Sequence, residues 1–189
     1  MDPFDTLGLA PTFSVSAGEI SRAYLQRAAL VHPDLDISPE PGTEADEPAE
    51  GSTDAAEVLN RARAILLNPE LRAGALLARL GGPGPEDRSL PPGFLVQMME
   101  RREEVDASIA SEGAPARARW RAWAAQERST HMARVSDHFE RVRAGDGDQP
   151  RLLREIRIEL NAWRYIERLI EQLDGQERLD RPGTGRTGP

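Results

Sequence analysis

The sequence predicts an all-α protein built from two helical modules, and three observations predict it. Apolar residues recur at intervals of three and four along nearly every patterned stretch, the spacing that lines one face of an α-helix. No run of alternating β-branched residues and no Asn-Gly turn marks a strand or hairpin. The Gly- and Pro-rich stretch from Gly81 to Pro92 separates four patterned segments from three longer ones. The expected layout is a four-helix module at 1–81, a linker at 82–91, an antiparallel three-helix bundle at 92–174 and a disordered tail at 175–189.

Each element has a local reason. Phe4 to Leu9 reads as a short helical turn after Asp2-Pro3, closed by Gly8. Ser16-Ala17-Gly18-Glu19 reads as a capping box, with Ser16 as the N-cap and Glu19 reaching back to it. Ile20, Tyr24, Leu25, Ala28 and Val31 form the apolar stripe of the helix behind it. Pro33 pushes the preceding residue out of the α region, so that helix should stop at Val31 or His32. From Asp34 to Glu57 there are nine carboxylates and no basic residue, with proline and glycine interspersed, the composition of a solvated, mobile loop. Asp54 to Glu57 suggests another capping box, followed by the stripe Val58, Leu59, Ala62, Ile65 and Leu66. A fourth helix from Pro69 to Leu80 carries Leu71, Ala75, Leu76 and Leu80 and ends at Gly81-Gly82.

The second module should hold helices over Pro92–Ser111, stopping at Gly113, over Pro115–Arg143, stopping at Gly145, and from Pro150 to a stop at Gly175. The last carries Leu152, Leu153, Ile156, Leu160, Trp163, Ile166, Ile170 and Leu173, with gaps alternating three and four. Met132, Val135, Phe139 and Val142 form the matching stripe on the helix before it. Short loops between three such helices imply an antiparallel bundle. Trp120 and Trp123 read as bundle core, whereas His131 and His138 read as surface or boundary residues, too far apart along the helix to share a metal as an i, i+4 pair can.

Composition narrows the chemistry. The net charge of −8 argues against nucleic-acid binding. The absence of cysteine removes disulfides, thiolate metal sites and a cysteine nucleophile. The N-terminal residues lack a basic stretch leading into an apolar run, and no segment has the length to span a bilayer. A soluble cytoplasmic protein with no membrane partner is expected. No Gly-rich phosphate loop, Ca²⁺-loop spacing or catalytic constellation is visible, so no cofactor and no enzymatic activity are expected.

Two features point toward partners. His32-Pro33-Asp34 lies between two helices, at the start of the acidic loop. Proline fixes φ and removes a donor, which can hold His32 and Asp34 in a rigid, exposed turn. The Asp34 carboxylate could there accept an arginine from a partner. The plain alternative is a proline helix stop flanked by polar residues. The second feature lies at the start of the second module. At about 100° per residue, Phe94, Met98, Val105 and Ile109 share one helix face while Leu95, Val96 and Met99 lie to one side of it. Glu100 and Glu103 border this offset group, and Tyr165 likewise lies off its own helix stripe. The offset residues either widen the core contact or form an exposed apolar patch rimmed by charge.

The helix–loop–helix around His32-Pro33-Asp34 resembles a J-domain, the module that switches on the ATPase of DnaK-class chaperones. Tyr24, Asn60-Arg61-Ala62, Leu66, Pro69 and Arg72-Ala73 match further positions of that pattern. Arg72-Ala73-Gly74-Ala75-Leu76-Leu77 is similar to a run in the HscB-type co-chaperones of iron–sulfur cluster assembly. Phe94-Leu95-Val96-Gln97-Met98-Met99-Glu100-Arg101-Arg102-Glu103-Glu104-Val105 resembles the start of that family's C-terminal domain, and Leu160 to Ile166 its last helix. The resemblance covers residues 2–174.

It implies two binding surfaces. His32, Pro33, Asp34, Arg22 and Arg27 would meet the ATPase of an HscA- or DnaK-class chaperone. Leu95, Val96, Met99, Glu100, Arg102, Glu103 and Tyr165 would bind an IscU-type iron–sulfur scaffold. The chain departs from the family's pattern at Leu25, Gln26 and Leu30, positions that are often basic, at Leu35, and at Arg63, where tyrosine is frequent. These departures motivate an alternative: an adaptor that docks a client but does not stimulate the ATPase.

Overall fold

The computed structural model of the chain describes residues 1–31 and 50–180. His32-Pro33-Asp34, Leu35 and most of the acidic segment lie outside the described residues, as do residues 181–189. The fold is all-α. Among the described residues there are seven helices: α1 (Pro3–Leu7), α2 (Ala17–Val31), α3 (Glu50–Leu67), α4 (Pro69–Arg79), α5 (Phe94–Glu112), α6 (Ala114–Ala144) and α7 (Gln149–Asp180). They fall into two compact units, Met1–Gly82 and Pro83–Pro189.

Side-chain caps set the helix starts of the first unit. Asp2 Oδ1 accepts from the Phe4 N–H at 2.8 Å and begins α1. The Ser16 box forms in both directions: the Ser16 N–H donates to Glu19 Oε2 at 2.8 Å and the Glu19 N–H to Ser16 Oγ at 3.2 Å. Asn68 Oδ1 accepts from the Glu70 and Leu71 N–H groups at 2.9 and 3.2 Å and starts α4. Gly8 ends α1 at a φ of 68°, a left-handed conformation that favours glycine.

Phe4, Leu7, Phe13, Ile20, Leu59, Leu66, Leu76 and Leu77 fill the core of this unit. Three residues expected inside, Leu25, Val58 and Leu71, are exposed instead. Ile20 and Ala23 carry the buried face of α2, and Leu25, one position past Tyr24, turns outward. On α4 the inward positions go to Arg72, Ala73, Leu76 and Leu77. Arg72 is tolerated there because Nη1 donates to the Leu66 carbonyl at 2.6 Å and its guanidinium lies 5.2 Å over the Phe13 ring. The α3 helix begins at Glu50, one turn before the expected start at Asp54. A capping residue favours a helix start without forbidding helix upstream of it.

In the second unit, α6 and α7 form an antiparallel hairpin turned at Gly145, which has a φ of 70°. Cross-pairs run in opposite senses along it: Arg121–Asp174 at 2.8 Å, Arg128–Glu167 at 2.9 Å and His131–Glu159 at 2.7 Å. Their seam buries Val135 and Phe139 against Leu152, Leu153, Ile156, Leu160, Trp163, Ile166, Leu169 and Leu173. Leu169, not Ile170, occupies the inward position, a drift expected of a helix that advances 3.6 residues per turn. The α7 helix also runs past the expected stop at Gly175 to Asp180, because Gly175 does not adopt a positive φ and Gln176, Glu177 and Arg178 favour helix.

His131 is a further correction: it is buried, only 5% exposed, and its Nδ1 meets Glu159 Oε2. Spacing along the helix could not show that a carboxylate of α7 faces it. Trp120 and Trp123 are half-buried and pack with Met98 and Ile109 on Val105, Leu169 and Leu173. Arg101 covers their outer side, 5.6 and 5.0 Å from the two rings.

Two predictions follow from these contacts. Asn68→Ala should lower stability by about 1 kcal/mol in urea unfolding, from loss of the α4 cap. Burial of Glu159 alone would raise its carboxyl pKa, but the His131 hydrogen bond and the nearby charges of His131, Arg134 and His138 bring it below the usual glutamate range. A carboxyl depressed in the folded state contributes stability above its unfolded pKa of about 4.3, and that contribution is lost as pH falls through the folded value. Thermal melts should therefore show the wild type losing more stability than Glu159→Gln as pH is lowered from about 5 toward 3.

Candidate docking surface

The α5 helix has 19 residues, against 31 and 32 for its neighbours α6 and α7. At about 1.5 Å per residue it covers little more than half their length. The segment before it, 83–93, lies along the remainder of α7. Arg157 donates from Nε and Nη2 to the Pro83 carbonyl at 3.0 and 2.8 Å. Asn161 Nδ2 donates to the Asp87 and Ser89 carbonyls at 2.8 and 2.9 Å. These four bonds aim α5 into place, and its first residue completes the anchoring. The Phe94 ring meets Tyr165 edge-on at 5.6 Å and His131 at 6.5 Å. Eight residues on, Arg102 Nη2 donates to Gln172 Oε1 at 2.8 Å. The pairs 94–165 and 102–172 advance together, so α5 and α7 run parallel with a shallow channel between them.

The channel is a groove of about 390 Å³ lined by Leu95, Met98, Met99, Arg102, Tyr165, Arg168, Leu169 and Gln172. Its α5 wall is apolar and open to water, with Leu95 50% and Met99 66% exposed, and Val96 next to it on α5 is 61% exposed. These side chains do not widen the core contact. Val105 is the buried residue of α5, and Phe94, Met98 and Ile109 are half-buried behind it. Four of the seven residues expected to bind a scaffold, Leu95, Met99, Arg102 and Tyr165, line the groove. Val96, Glu100 and Glu103 do not line it and are exposed on α5. Sequence reasoning missed Met98, Arg168, Leu169 and Gln172. The last three follow Tyr165 at spacings of three, four and seven, the spacing of one helix face, which was the available signal.

On the first unit, Arg22 and Arg27 are exposed on α2. Leu25 and Leu30 beside them are 64% and 76% exposed. Tyr24 Oη donates to Asn60 Oδ1 at 2.8 Å, and Arg63 lies 4.8 Å over the Tyr24 ring, which ties α2 to α3. Among the described residues no group of three His, Asp or Glu side chains could hold a metal ion, and no helix is long and apolar enough to cross a membrane.

A helix face bearing exposed leucine, valine and methionine, rimmed by charge, has the surface features of a protein-docking module. The particular fold is that of HscB. The crystal structure of human co-chaperone protein HscB superposes with a TM-score of 0.71 at 21% identity, covering 94% of this chain and 82% of that one. The chaperone HscB from Vibrio cholerae superposes with a TM-score of 0.66 at 20% identity, covering 95% of this chain and 99% of that one. No protein-family model and no curated protein matches the sequence.

Proposed function

We propose that this chain is a co-chaperone of iron–sulfur cluster assembly. Its second unit binds an IscU-type scaffold through the α5–α7 face. Its first unit, read as a J-domain, offers His32-Pro33-Asp34, together with Arg22 and Arg27, to the ATPase domain of an HscA- or DnaK-class chaperone. Hydrolysis then locks that chaperone on the scaffold and promotes cluster transfer. The chain contributes binding surfaces and no chemical step.

The observation that carries this reading is the exposed set Leu95, Val96 and Met99 on α5, beside Tyr165, in a chain that has the fold of HscB over nearly its whole length. Three large apolar side chains on one turn of a helix lose apolar contact with water only when a partner covers them. At about 25 cal/mol per Å² of apolar area, covering them is a main source of affinity. Leu25 and Leu30 favour the second reading, an adaptor without ATPase stimulation, because they place exposed apolar groups on α2 where a basic face would steer an acidic partner.

Two measurements test the proposal. The chaperone's ATPase, assayed with scaffold present, should rise with wild type and not with His32→Gln. Equal rates with both proteins sink the co-chaperone reading, and scaffold binding without stimulation by either leaves the adaptor. Leu95→Ala/Met99→Ala should weaken scaffold affinity by on the order of 10- to 100-fold in calorimetry while the helical circular dichroism is retained.

A further inference from the structure

A second hollow adjoins the apolar groove on its α7 side and differs from it in chemistry. It has about 210 Å³, and three guanidinium groups, Arg88, Arg164 and Arg168, line it together with Tyr165 and Asn161. Tyr165 and Arg168 form the shared wall, since both also line the apolar groove. Arg88 and Arg168 have no ion-pair or hydrogen-bond partner among the described residues, whereas Arg164 is engaged by a contact of its own.

The hollow is held open by the fold. Arg88 reaches it from segment 83–93, which Asn161 pins at Asp87 and Ser89, the residues on either side of Arg88. Arg164 and Arg168 are one helical turn apart on α7 and face the same way. Like charges gathered in one hollow repel each other, and an anion relieves that cost. Glu86, Asp87, Glu167 and Glu171 are the nearest carboxylates along the chain to these arginines, and Glu167 is already engaged by Arg128 at 2.9 Å and by the Trp163 indole N–H at 2.6 Å. Asp87 Oδ1 accepts from the Ser89 N–H at 2.9 Å, so it is committed within its own turn. The overall charge of −8 does not cancel the local field, because at physiological salt charges are screened beyond about 8 Å.

From this arrangement we infer that the Arg88–Arg168 hollow is a carboxylate subsite of the docking surface. It takes an acidic side chain of the scaffold protein that flanks the apolar residues seated against Leu95 and Met99. The inference rests on the proposed scaffold binding and adds its polarity: apolar contact on the α5 side, a carboxylate on the α7 side. Planar guanidinium groups suit a carboxylate because they can donate two parallel hydrogen bonds to it. A subsite with this asymmetry fixes the direction in which the partner segment lies, which an apolar groove alone does not.

The test is calorimetric titration of an IscU-type scaffold at about 50 and about 200 mM salt into wild type, Arg88→Gln/Arg168→Gln and Leu95→Ala/Met99→Ala. The arginine variant should bind about 3- to 10-fold more weakly at low salt and lose most of the salt dependence shown by wild type. The leucine–methionine variant should bind more weakly while keeping that salt dependence. If the leucine–methionine variant is weakened but the arginine variant matches wild type at both salts, the carboxylate subsite is wrong and scaffold docking stands. If neither variant differs from wild type, the docking surface itself is wrong and the subsite falls with it.

Discussion

The second unit depends on the apolar seam of α7. Leu153, Ile156, Leu160, Trp163, Ile166, Leu169 and Leu173 are all nearly inaccessible to water, and α6 packs on them in the opposite sense. Trp163 illustrates how this is accommodated: its ring is fully buried, yet its indole N–H, its one side-chain polar group, donates to Glu167 Oε1 at 2.6 Å. Because this seam uses one side of α7, the remaining sides are available. Along one further face Arg157 and Asn161 hold segment 83–93, and farther along the same face Tyr165, Arg168 and Gln172 look toward α5. The geometry of the proposed docking surface is therefore set by the register of the hairpin.

The angular offset of Leu95, Val96 and Met99 from the buried face of α5 gives that surface its character. Here α5 is committed to the hairpin by Phe94, Val105 and the Arg101 contact with Trp120 and Trp123, which leaves Leu95, Val96 and Met99 with no helix to cover them. Exposed apolar side chains at three of five consecutive positions oppose solubility and add nothing to the fold. The proposed binding role accounts for them where packing does not. The first unit shows a milder form of the same conflict, with Leu25 and Leu30 open to solvent beside Arg22 and Arg27.

Much of this was legible in the sequence. The capping box at Ser16, the glycine stops at Gly113 and Gly145, and the proline starts of α1 and α4 all express backbone chemistry local to a few residues. The offset of Leu95, Val96 and Met99 from the Phe94–Val105 stripe was likewise readable, because helical angle alone places them to one side. The misplacement of Leu25, Val58 and Leu71 has one origin: each borders the true buried face, and which of two adjacent apolar positions turns inward depends on the helix packed against it. The motif His32-Pro33-Asp34 speaks through sequence alone, since it lies outside the described residues.

What the sequence by itself determined is the all-α class, the helix boundaries fixed by caps and breakers, and the presence of an apolar group too wide for one core stripe. Tertiary structure decided which of those apolar residues share a groove with Tyr165, that His131 is buried against Glu159, and that Arg88 joins Arg164 and Arg168 across more than seventy residues of chain. The physical reason is the range of the forces involved. Caps, turns and helical periodicity act within about four residues, whereas a groove or a charge cluster exists only once side chains distant in sequence are brought within a few ångströms by packing.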